Sequence, residues 1–572
     1  MAKIRHICIE NFRCIKKLSW YPHAGLNCLI GPGDSGKSTV LDAIDLCLGP
    51  RQSKAVSDSD FYNLDTASPL IVDVTVGKLD DELKQLDKYD QYLRGYRASD
   101  GSVVDEPQNG FETVLTVRLK VGADLDPIWS LYSERAELAG REKNLTWGDR
   151  ILLAGTRIGG VSDYHLSWRK GAVLNRLADE RPDTSIALAE ATRAARAAFG
   201  EKADHNLEDT LAAVTSTAGE LGVRLEGDLQ ALLNAHSISL SGGTIALHDG
   251  RGVPLSSLGL GSGRLLVAGL LNQAITGSNL VLVDELEHGL EPHRIIRFLG
   301  ALGAKQRDEP IQVFITSHSP VVLRELDETQ LFVLRESEQE HTAKLAKIDA
   351  NSQGTLRRHA EAFFAKSVLL CEGASEIGFV RGLDQYRSST GRQSVFAAGL
   401  GLLDASGVTN LYQHAPTLQS LGYRVGSFRD DDAPPNGAAE AGFLVAGGTL
   451  YKWQPAEKIE QAIFRALPDD GVIAALELAI ELHGVELISA HIESATAGTA
   501  KLQDIQGVEP LLGLPPDLRQ ILTDACTQKR AWFKSLHDME RLARDVVGPH
   551  FETCSPEFKN FVQSIFNWAE DA

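Results

Sequence analysis

The stretch Gly31-Pro-Gly-Asp-Ser-Gly36-Lys37-Ser38-Thr39 lies between an apolar run, Leu26–Ile30, and an apparent helix, Thr39–Leu48. It fits the pattern G-x-x-x-x-G-K-[ST] in the strand–loop–helix context that this motif requires. Its glycines allow backbone N–H groups to surround phosphates, and the following helix adds the positive end of its dipole. We expect a nucleoside triphosphate to be bound by Gly31, Gly33, Asp34, Ser35, Gly36, Lys37, Ser38 and Thr39.

Two later apolar strands end in polar residues that complete such a site. Leu280–Val283 is followed by Asp284 and Glu285, and Val313–Thr316 is followed by Ser317 and His318. Lys37 is expected to reach the β- and γ-phosphates, while Ser38 and Asp284 hold Mg²⁺. Glu285 would polarise the attacking water, and His318 would contact the γ-phosphate. These residues predict ATP hydrolysis.

A glycine-rich turn before an apolar helix indicates the class of ATPase. Gly261-Ser262-Gly263 starts this helix shortly before Asp284, which is the relative position of the signature motif in ABC-type ATPases. The helix N-terminus would cap the γ-phosphate across a dimer. Ser239-Leu-Ser-Gly-Gly243 is closer to the literal signature, but Thr244–His248 follows it with a strand pattern. We therefore assign the signature to Gly261, Ser262 and Gly263.

A second group of acidic residues follows two strands in the C-terminal part. Glu372 and Glu376 come after Ser367–Cys371, and Asp430-Asp431-Asp432 ends the strand that begins at Tyr423. Carboxylates at adjacent strand ends repel one another unless cations bind between them, and hard oxygen ligands suit Mg²⁺ or Mn²⁺. Two such ions can activate water and stabilise the leaving oxygen of a phosphodiester. The alternative is an acidic loop rim in a chain of net charge −20.

The order of these motifs resembles the ABC/SMC/RecF class of ATPases, and Asn11-Phe12-Arg13 is similar to the start of RecF-like proteins. The Glu-Gly-x-x-x-Glu and Asp-x-Asp pair resembles a Toprim domain. Together they resemble the OLD family of nucleases, and in particular the group that includes the Gabija nuclease subunit. One departure is Arg429, where that family pattern has an apolar residue.

This resemblance implies further site residues in the C-terminal tail. In Tyr451–Glu460 a metal-binding glutamate is expected, and Glu460 fits better than Glu457. In Thr527–Lys534 a catalytic lysine is expected, and Lys534 is slightly preferred to Lys529. Solvated helix faces are the alternative for both. The implied catalytic set is Glu285, His318, Glu372, Asp430 and Lys534, and the implied nuclease metal ligands are Glu372, Glu376, Asp430, Asp432 and Glu460.

The expected fold class is α/β, an ABC/RecF-like P-loop ATPase with a helical insertion, followed by a Toprim domain with a helical tail. The ATPase would comprise residues 1–183 and 236–350, with a dimerising insertion at 184–235 and the Toprim domain at 366–572. The chain of 572 residues has 57 basic and 77 acidic residues, which excludes a uniformly basic surface. Seven scattered cysteines and the interrupted apolar run Leu265–Val283 predict a cytoplasmic protein without membrane spans.

The preferred hypothesis is a DNA endonuclease that depends on ATP and on Mg²⁺, with Mn²⁺ or Ca²⁺ as alternatives at the nuclease site. It would nick or cleave duplex DNA in anti-phage defence. By resemblance the partners are DNA, a second copy in a homodimer or higher oligomer, and a helicase. The alternative is a RecF/SMC-like ATPase clamp that binds DNA without cutting it. In a third hypothesis the ATPase is only a sensor that restrains the nuclease.

Overall fold

We analysed a computed structural model of the chain. It describes residues 2–571 apart from 50–55, 80–88, 146–149, 151–152, 160–163, 167–171, 178–184, 221–224, 226, 228–244, 272, 274–278, 307–310, 338–339, 349, 455, 507–513 and 529–530. The rejected motif at 239–243 lies outside the described residues. Of the strand expected after it, the described part contains only an isolated bridge between His248 and Pro254. No helix in the described part is long and apolar enough to span a membrane.

The N-terminal part is built on one mixed sheet of 14 strands. Their bounds are β1 Lys3–Phe12, β2 Ile15–Trp20, β3 Leu26–Ile30, β4 Leu70–Gly77, β5 Leu93–Tyr96, β6 Val103–Val104, β7 Glu112–Val121, β8 Pro127–Tyr132, β9 Lys143–Asn144, β10 Thr156–Ile158, β11 Leu280–Val283, β12 Gln312–Thr316, β13 Leu331–Ser337 and β14 Glu340–Leu345.

The strand order in this sheet explains why distant motifs meet. It runs β10-β11-β12-β3-β13-β14-β2-β1-β4-β7-β5-β6, with β8 and β9 attached to β7. The strands β10, β11, β12, β3 and β13 pair with one another in parallel, whereas β14 is antiparallel to β13. Because parallel strands end at the same edge, the residues after β11, β12 and β3 lie side by side.

Seven α-helices accompany this sheet among the described residues. They are α1 Lys37–Leu48, α2 Glu134–Leu138, α3 Ser185–Glu220, α4 Leu260–Leu271, α5 Pro292–Ala301, α6 Pro320–Glu325 and α7 Ser352–Arg358. Helix α3 lies within the predicted helical insertion and has 36 residues, so it is about 54 Å long. Its described side chains are exposed or half-buried. A dimerising role for this insertion stays a prediction.

The C-terminal part contains a second, four-stranded parallel sheet in the order β16-β15-β17-β18. Its strands are β15 Ser367–Cys371, β16 Leu400–Asp404, β17 Arg424–Arg429 and β18 Thr449–Lys452. Strand β18 falls inside the segment that the sequence analysis attached to the helical tail. The adjacent strands β15 and β17 end next to each other, immediately before Glu372 and Asp430.

Helices surround this second sheet and form the tail. They are α8 Ala374–Ser389, α9 Ala415–Ser420, α10 Gly437–Val445, α11 Ile459–Ala466, α12 Asp469–His483, α13 Val485–Ala495, α14 Leu502–Gln506, α15 Pro516–Ala525, α16 Leu536–Leu542, α17 Gly548–His550 and α18 Pro556–Glu570. One apolar cluster continues from β3, β11 and β12 through Leu356 and Phe363 to Val368 and Tyr423. The two sheets are therefore packed together through a shared core.

Candidate functional site: a nucleotide site and a second acidic site

The loop after β3 adopts backbone conformations that glycine alone tolerates easily. Gly31 has φ +138° and Gly36 has φ +87°, both in the range that L side chains rarely adopt. A Cβ atom on Gly31 would lie 2.5 Å from the carbonyl oxygen of Leu334. This close approach to β13 fixes the loop against the sheet, directly before helix α1.

Lys37 turns its ammonium group back into this loop. Its Nζ donates hydrogen bonds to the carbonyl oxygens of Gly31, at 3.1 Å, and Pro32, at 2.6 Å, and to Ser35 Oγ at 3.2 Å. Burial of the side chain lowers the pKa of Lys37 to about 8. Among the described residues its hydrogen bonds all go to neutral oxygens, so the ammonium group can bind an anion such as a phosphate.

Ser38 and Asp284, which the sequence predicts to hold Mg²⁺, contact each other directly. The Ser38 hydroxyl donates to Asp284 Oδ1 at 2.9 Å, and the Thr316 hydroxyl donates to the same oxygen at 2.6 Å. Thr316 Oγ1 in turn accepts from the backbone N–H of Glu285 at 2.8 Å. These hydroxyl and carboxylate oxygens are the hard donors that Mg²⁺ prefers, so the site fits the ion. Sequence reasoning missed Thr316, although it is the last residue of β12.

Glu285 and His318 lie at the same edge of the sheet. Glu285 has φ +44° and an exposed side chain, with its Oε2 3.9 Å from His288 Nδ1. The imidazole of His318 packs against the ring of Phe364 at a centroid distance of 6.0 Å. Burial and, next, the charge of Lys37 lower the pKa of His318, so the ring is neutral at pH 7.

Glu287 is a further acidic residue that sequence reasoning missed. Its carboxylate accepts a hydrogen bond from Ser317 Oγ at 2.8 Å and another from the backbone N–H of His318 at 2.6 Å. It therefore holds the segment that carries His318. The available signal was its place in Asp284-Glu-Leu-Glu287, two residues after Glu285.

The proposed signature residues begin helix α4, as expected. A Cβ atom on Gly261 would lie 2.1 Å from the carbonyl oxygen of Gly289, so this position requires glycine. Ser262 Oγ accepts a hydrogen bond from Arg294 at 3.0 Å. Arg264, which is 1% exposed, donates to the carbonyl oxygens of Asp284 and Glu285 at 3.0 and 3.1 Å. Helix α4 is thus tied to the strand end that carries Asp284.

A protein-family comparison agrees with this geometry. The model described as "AAA domain, putative AbiEii toxin, Type IV TA system" matches residues 26–324, just over half of the 572 residues. The chain belongs to this AAA family. The match includes the loop after β3, Asp284 and His318. It confirms the α/β P-loop ATPase fold, and membership of a P-loop ATPase family implies ATP, usually with Mg²⁺, as the ligand.

Relatives of this AAA protein are similar over short segments. A DNA replication and repair protein RecF from Chlorobium luteolum is 32% identical over 99 residues, 15% of this chain and 27% of that protein. An OLD nuclease from Thermus scotoductus is 34% identical over 74 residues, 12% of this chain and 14% of that protein. Less than a third of either relative is therefore covered. These matches support an ATPase of the OLD/RecF type.

One solved structure with a similar arrangement is an Smc head domain bound to the C-terminal domain of ScpA, derived from Pyrococcus furiosus. It has a TM-score of 0.30 and 12% identity, and the match covers 60% of this chain and 96% of that one. A similarity of this size gives no information about the fold beyond what the strand order already shows.

The second acidic site combines the residues that directly follow β15 and β17 with residues from α11 and from the segment before α16. Glu372 Oε2 accepts from the backbone N–H of Asp430 at 3.2 Å, and Asp430 Oδ1 accepts from that of Ile459 at 2.8 Å. Lys534 Nζ lies 4.0 Å from both Asp430 Oδ2 and Glu460 Oε1. Four of the residues singled out from the sequence are thus brought together.

Glu460 is the clearest sign of a cation-binding site. The residue is 0% exposed, and neither carboxylate oxygen has a hydrogen-bond partner among the described residues. A buried carboxylate is costly unless a positive charge compensates for it, and Lys534 at 4.0 Å does so only in part. The carboxylates of Asp430, Glu460 and Glu372 therefore fit a divalent ion. No set of three described His, Cys, Asp or Glu residues is already arranged around a metal position, however.

Burial and mutual repulsion change the titration of this acidic site. Burial, followed by the charge of Glu460, raises the pKa of Asp430 to about 7. Burial raises the pKa of Glu372, and it raises that of Glu376 well above the usual range. Burial alone would lower the pKa of Lys534, but the negative charges of Glu460 and Asp430 outweigh burial and raise this pKa. The site without metal therefore holds protons at neutral pH.

The remaining predicted ligands lie less directly in the site. Glu376 is 2% exposed, and its Oε2 accepts from the backbone N–H of Gly373 at 2.8 Å, so it caps its own helix. Asp432 is exposed, with its Oδ2 3.5 Å from Lys458 Nζ. Glu457 pairs with Arg465 at 2.8 Å, and Lys529 lies outside the described residues.

Arg429, the departure from the family pattern, lies directly beside this site, and its guanidinium donates to the carbonyl oxygen of Asp430 at 2.7 Å. Its guanidinium pairs with Asp431 at 2.9 Å and with Glu440 at 3.2 Å. These two carboxylates neutralise the buried arginine, and Asp431 is thereby removed from the candidate ligands. The positive charge at position 429 is compatible with a metal site built from Asp430.

Proposed function

We propose that the protein is an ATP-regulated, divalent-metal-dependent DNA endonuclease whose C-terminal part is a Toprim domain. The observation that supports it most is the buried Glu460 carboxylate. It has no hydrogen-bond partner in the part of the chain that the structure describes, and it lies in the same site as Asp430 and Lys534. A metal bound there would supply an activated water and charge stabilisation for phosphodiester cleavage.

The residues of the site divide this work by their positions. Asp430, Glu460 and Glu372 are proposed to hold the metal through oxygen atoms. Lys534 is half-exposed beside them and would neutralise the charge that develops on the scissile phosphate. Glu376 would stiffen the turn after β15 through its bond to Gly373.

ATP hydrolysis by the N-terminal part is proposed to regulate this cleavage. Lys37 would bind the phosphates, Ser38 and Asp284 the metal, Glu285 would polarise water, and His318 would contact the γ-phosphate. Gly261-Ser262-Gly263 would complete the site of a second copy, which makes the active form a homodimer. The shared apolar core between the two sheets supports communication between ATP and the acidic site.

The alternative is an ATPase clamp that binds DNA without cutting it, which the similarity to a RecF protein favours. A clamp has no use for buried carboxylates converging on Lys534, and this observation favours the nuclease. A role in anti-phage defence and a helicase partner stay predictions of the OLD resemblance. Phage plating on cells with and without the intact gene, and co-purification from those cells, test them.

Cleavage of supercoiled plasmid with Mg²⁺ or Mn²⁺, with and without ATP, tests the nuclease proposal. We expect Glu460→Gln and Asp430→Asn to abolish nicking while ATP hydrolysis continues. Glu457→Gln is the matched control, because Glu457 lies three residues from Glu460 and pairs with Arg465 instead. Equal nicking by Glu460→Gln and the unmodified protein would disprove the proposal. DNA binding and ATP turnover without any nicking would favour the clamp.

A further inference from the structure

Arg157 places a guanidinium group beside the metal-binding carboxylate of the ATPase site. Arg157 lies on β10, the strand next to β11. It pairs there with Leu282, which is two residues before Asp284 in the sequence. Its Nη2 is 3.4 Å from Asp284 Oδ2. Ser38 and Thr316 bind the other oxygen of this carboxylate, so the two oxygens of Asp284 have different partners.

The same guanidinium contacts two acidic residues of helix α1. Nη1 donates to Asp42 in a short hydrogen bond and lies 3.4 Å from Asp45 Oδ2. Asp42 is shared with Arg13, whose Nε also pairs with Asp60 at 2.9 Å. Arg157 is thus the cation between α1 and β11, where Asp42, Asp45 and Asp284 would otherwise face one another.

Three carboxylates around one point attract a hard divalent cation even without a nucleotide. A permanently charged arginine among them lowers this attraction, because its positive charge repels the incoming ion. Triphosphate oxygens supply both ligands and negative charge, which restore the attraction. We propose that Arg157 is the counter-ion that makes metal binding at Ser38 and Asp284 depend on the presence of the nucleotide.

Titration of metal-free, nucleotide-free protein with Mg²⁺ tests this role, with binding heat and unfolding temperature as readouts. We expect Arg157→Gln to gain a Mg²⁺ site at least about ten-fold tighter than any that the unmodified protein shows at this position. The gain must vanish in the double variant with Asp284→Asn, which separates this site from the C-terminal acidic site. Arg176→Gln is the matched control, because Arg176 donates to Thr156 on the same strand.

Two further variants keep the test decisive if Arg157→Gln folds poorly. Arg157→Lys retains the charge and is expected to titrate like the unmodified protein. Arg157→Gln combined with Asp42→Asn keeps the net charge of the cluster and is expected to lose the extra Mg²⁺ binding. A Mg²⁺ titration unchanged by Arg157→Gln, or a gain that survives Asp284→Asn, would overturn the proposal. This test does not require that the second site cuts DNA.

Discussion

The carboxylate of Asp430 accepts a hydrogen bond from the backbone N–H of Ile459 at 2.8 Å, and this contact fixes the start of helix α11. The next residue is Glu460, so one acidic residue positions another. Lys534 faces both, and its own position is fixed by the preceding Trp532, which is buried and donates through Nε1 to His491 Nδ1 at 3.0 Å. The site is therefore built on packed elements.

Replacing Lys534 is expected to abolish catalysis and to lower the stability of the metal-free protein. Lys534→Met removes the ammonium group beside Asp430 and Glu460, and we expect nicking to fall by roughly 100-fold or more. It also leaves the buried Glu460 carboxylate without the positive charge that partly compensates for it, so the unfolding temperature without metal should fall. Lys458→Met is the control, since Lys458 pairs with the exposed Asp432. Normal nicking by Lys534→Met would remove this residue from the catalytic set.

The acidic site is expected to make metal-free protein less stable as the pH rises. The pKa of Asp430 is raised from 3.8 to about 7, so the folded state holds its proton more tightly than the unfolded chain. This contribution is complete below pH 4 and is lost as the pH rises through about 7. It amounts to roughly 2–4 kcal/mol. Urea unfolding in EDTA at pH 5 and pH 8 measures it.

The matched variant for this measurement is Asp430→Asn, whose amide imitates the protonated acid and can still accept from Ile459. We expect it to exceed the unmodified protein in stability by a larger margin at pH 8 than at pH 5, because only part of the contribution is lost at pH 5. Adding Mn²⁺ should stabilise the unmodified protein more strongly at pH 8 than at pH 5, because protons compete with the metal. If the free energy of unfolding depends on pH in the same way in the unmodified protein and in Asp430→Asn, this explanation is wrong.

Nucleotide affinity is expected to fall at alkaline pH. Burial lowers the pKa of Lys37 to about 8, and phosphate binding requires the charged form. The affinity of metal-free protein for a fluorescent ATP analogue should therefore decrease by about ten-fold per pH unit above 8. In Lys37→Arg the guanidinium keeps its charge, so any residual affinity should show no such slope. A flat profile for the unmodified protein would show that Lys37 does not bind the phosphates.

Local motifs explain why much of the nucleotide site could be predicted. The run from Leu26 to Leu48 combines strand, loop and helix signals in one stretch, and the structure has β3 and α1 there. Asp284 and His318 follow apolar strands, and parallel strands bring their ends together. Arg157 could not be predicted, because it lies on a three-residue strand and reaches Asp284 only through the strand order.

In the C-terminal site, too, some residues could be predicted from local motifs and others could not. Glu372 and Asp430 directly follow strands, so their meeting depends on strand adjacency alone. Glu460 and Lys534 were placed by resemblance, and only packing brings them together: Lys534 is preceded by the buried Trp532 and Phe533. The capping role of Glu376 depends on the turn at Gly373, which periodicity does not show.

Glu285 and Glu287 are expected to differ in how they affect ATP hydrolysis. Glu285 is exposed at the phosphate side, so Glu285→Gln should reduce kcat by roughly 100-fold while ATP binding remains. Glu287 binds Ser317 and the backbone of His318, so Glu287→Ala should displace His318 and reduce kcat by roughly ten-fold. Single-turnover hydrolysis separates the two effects. The charge of Glu287 also acts on Lys37, so Glu287 is the alternative residue for polarising the water. A larger loss of kcat in Glu287→Ala, with Glu285→Gln still active, would assign this role to Glu287.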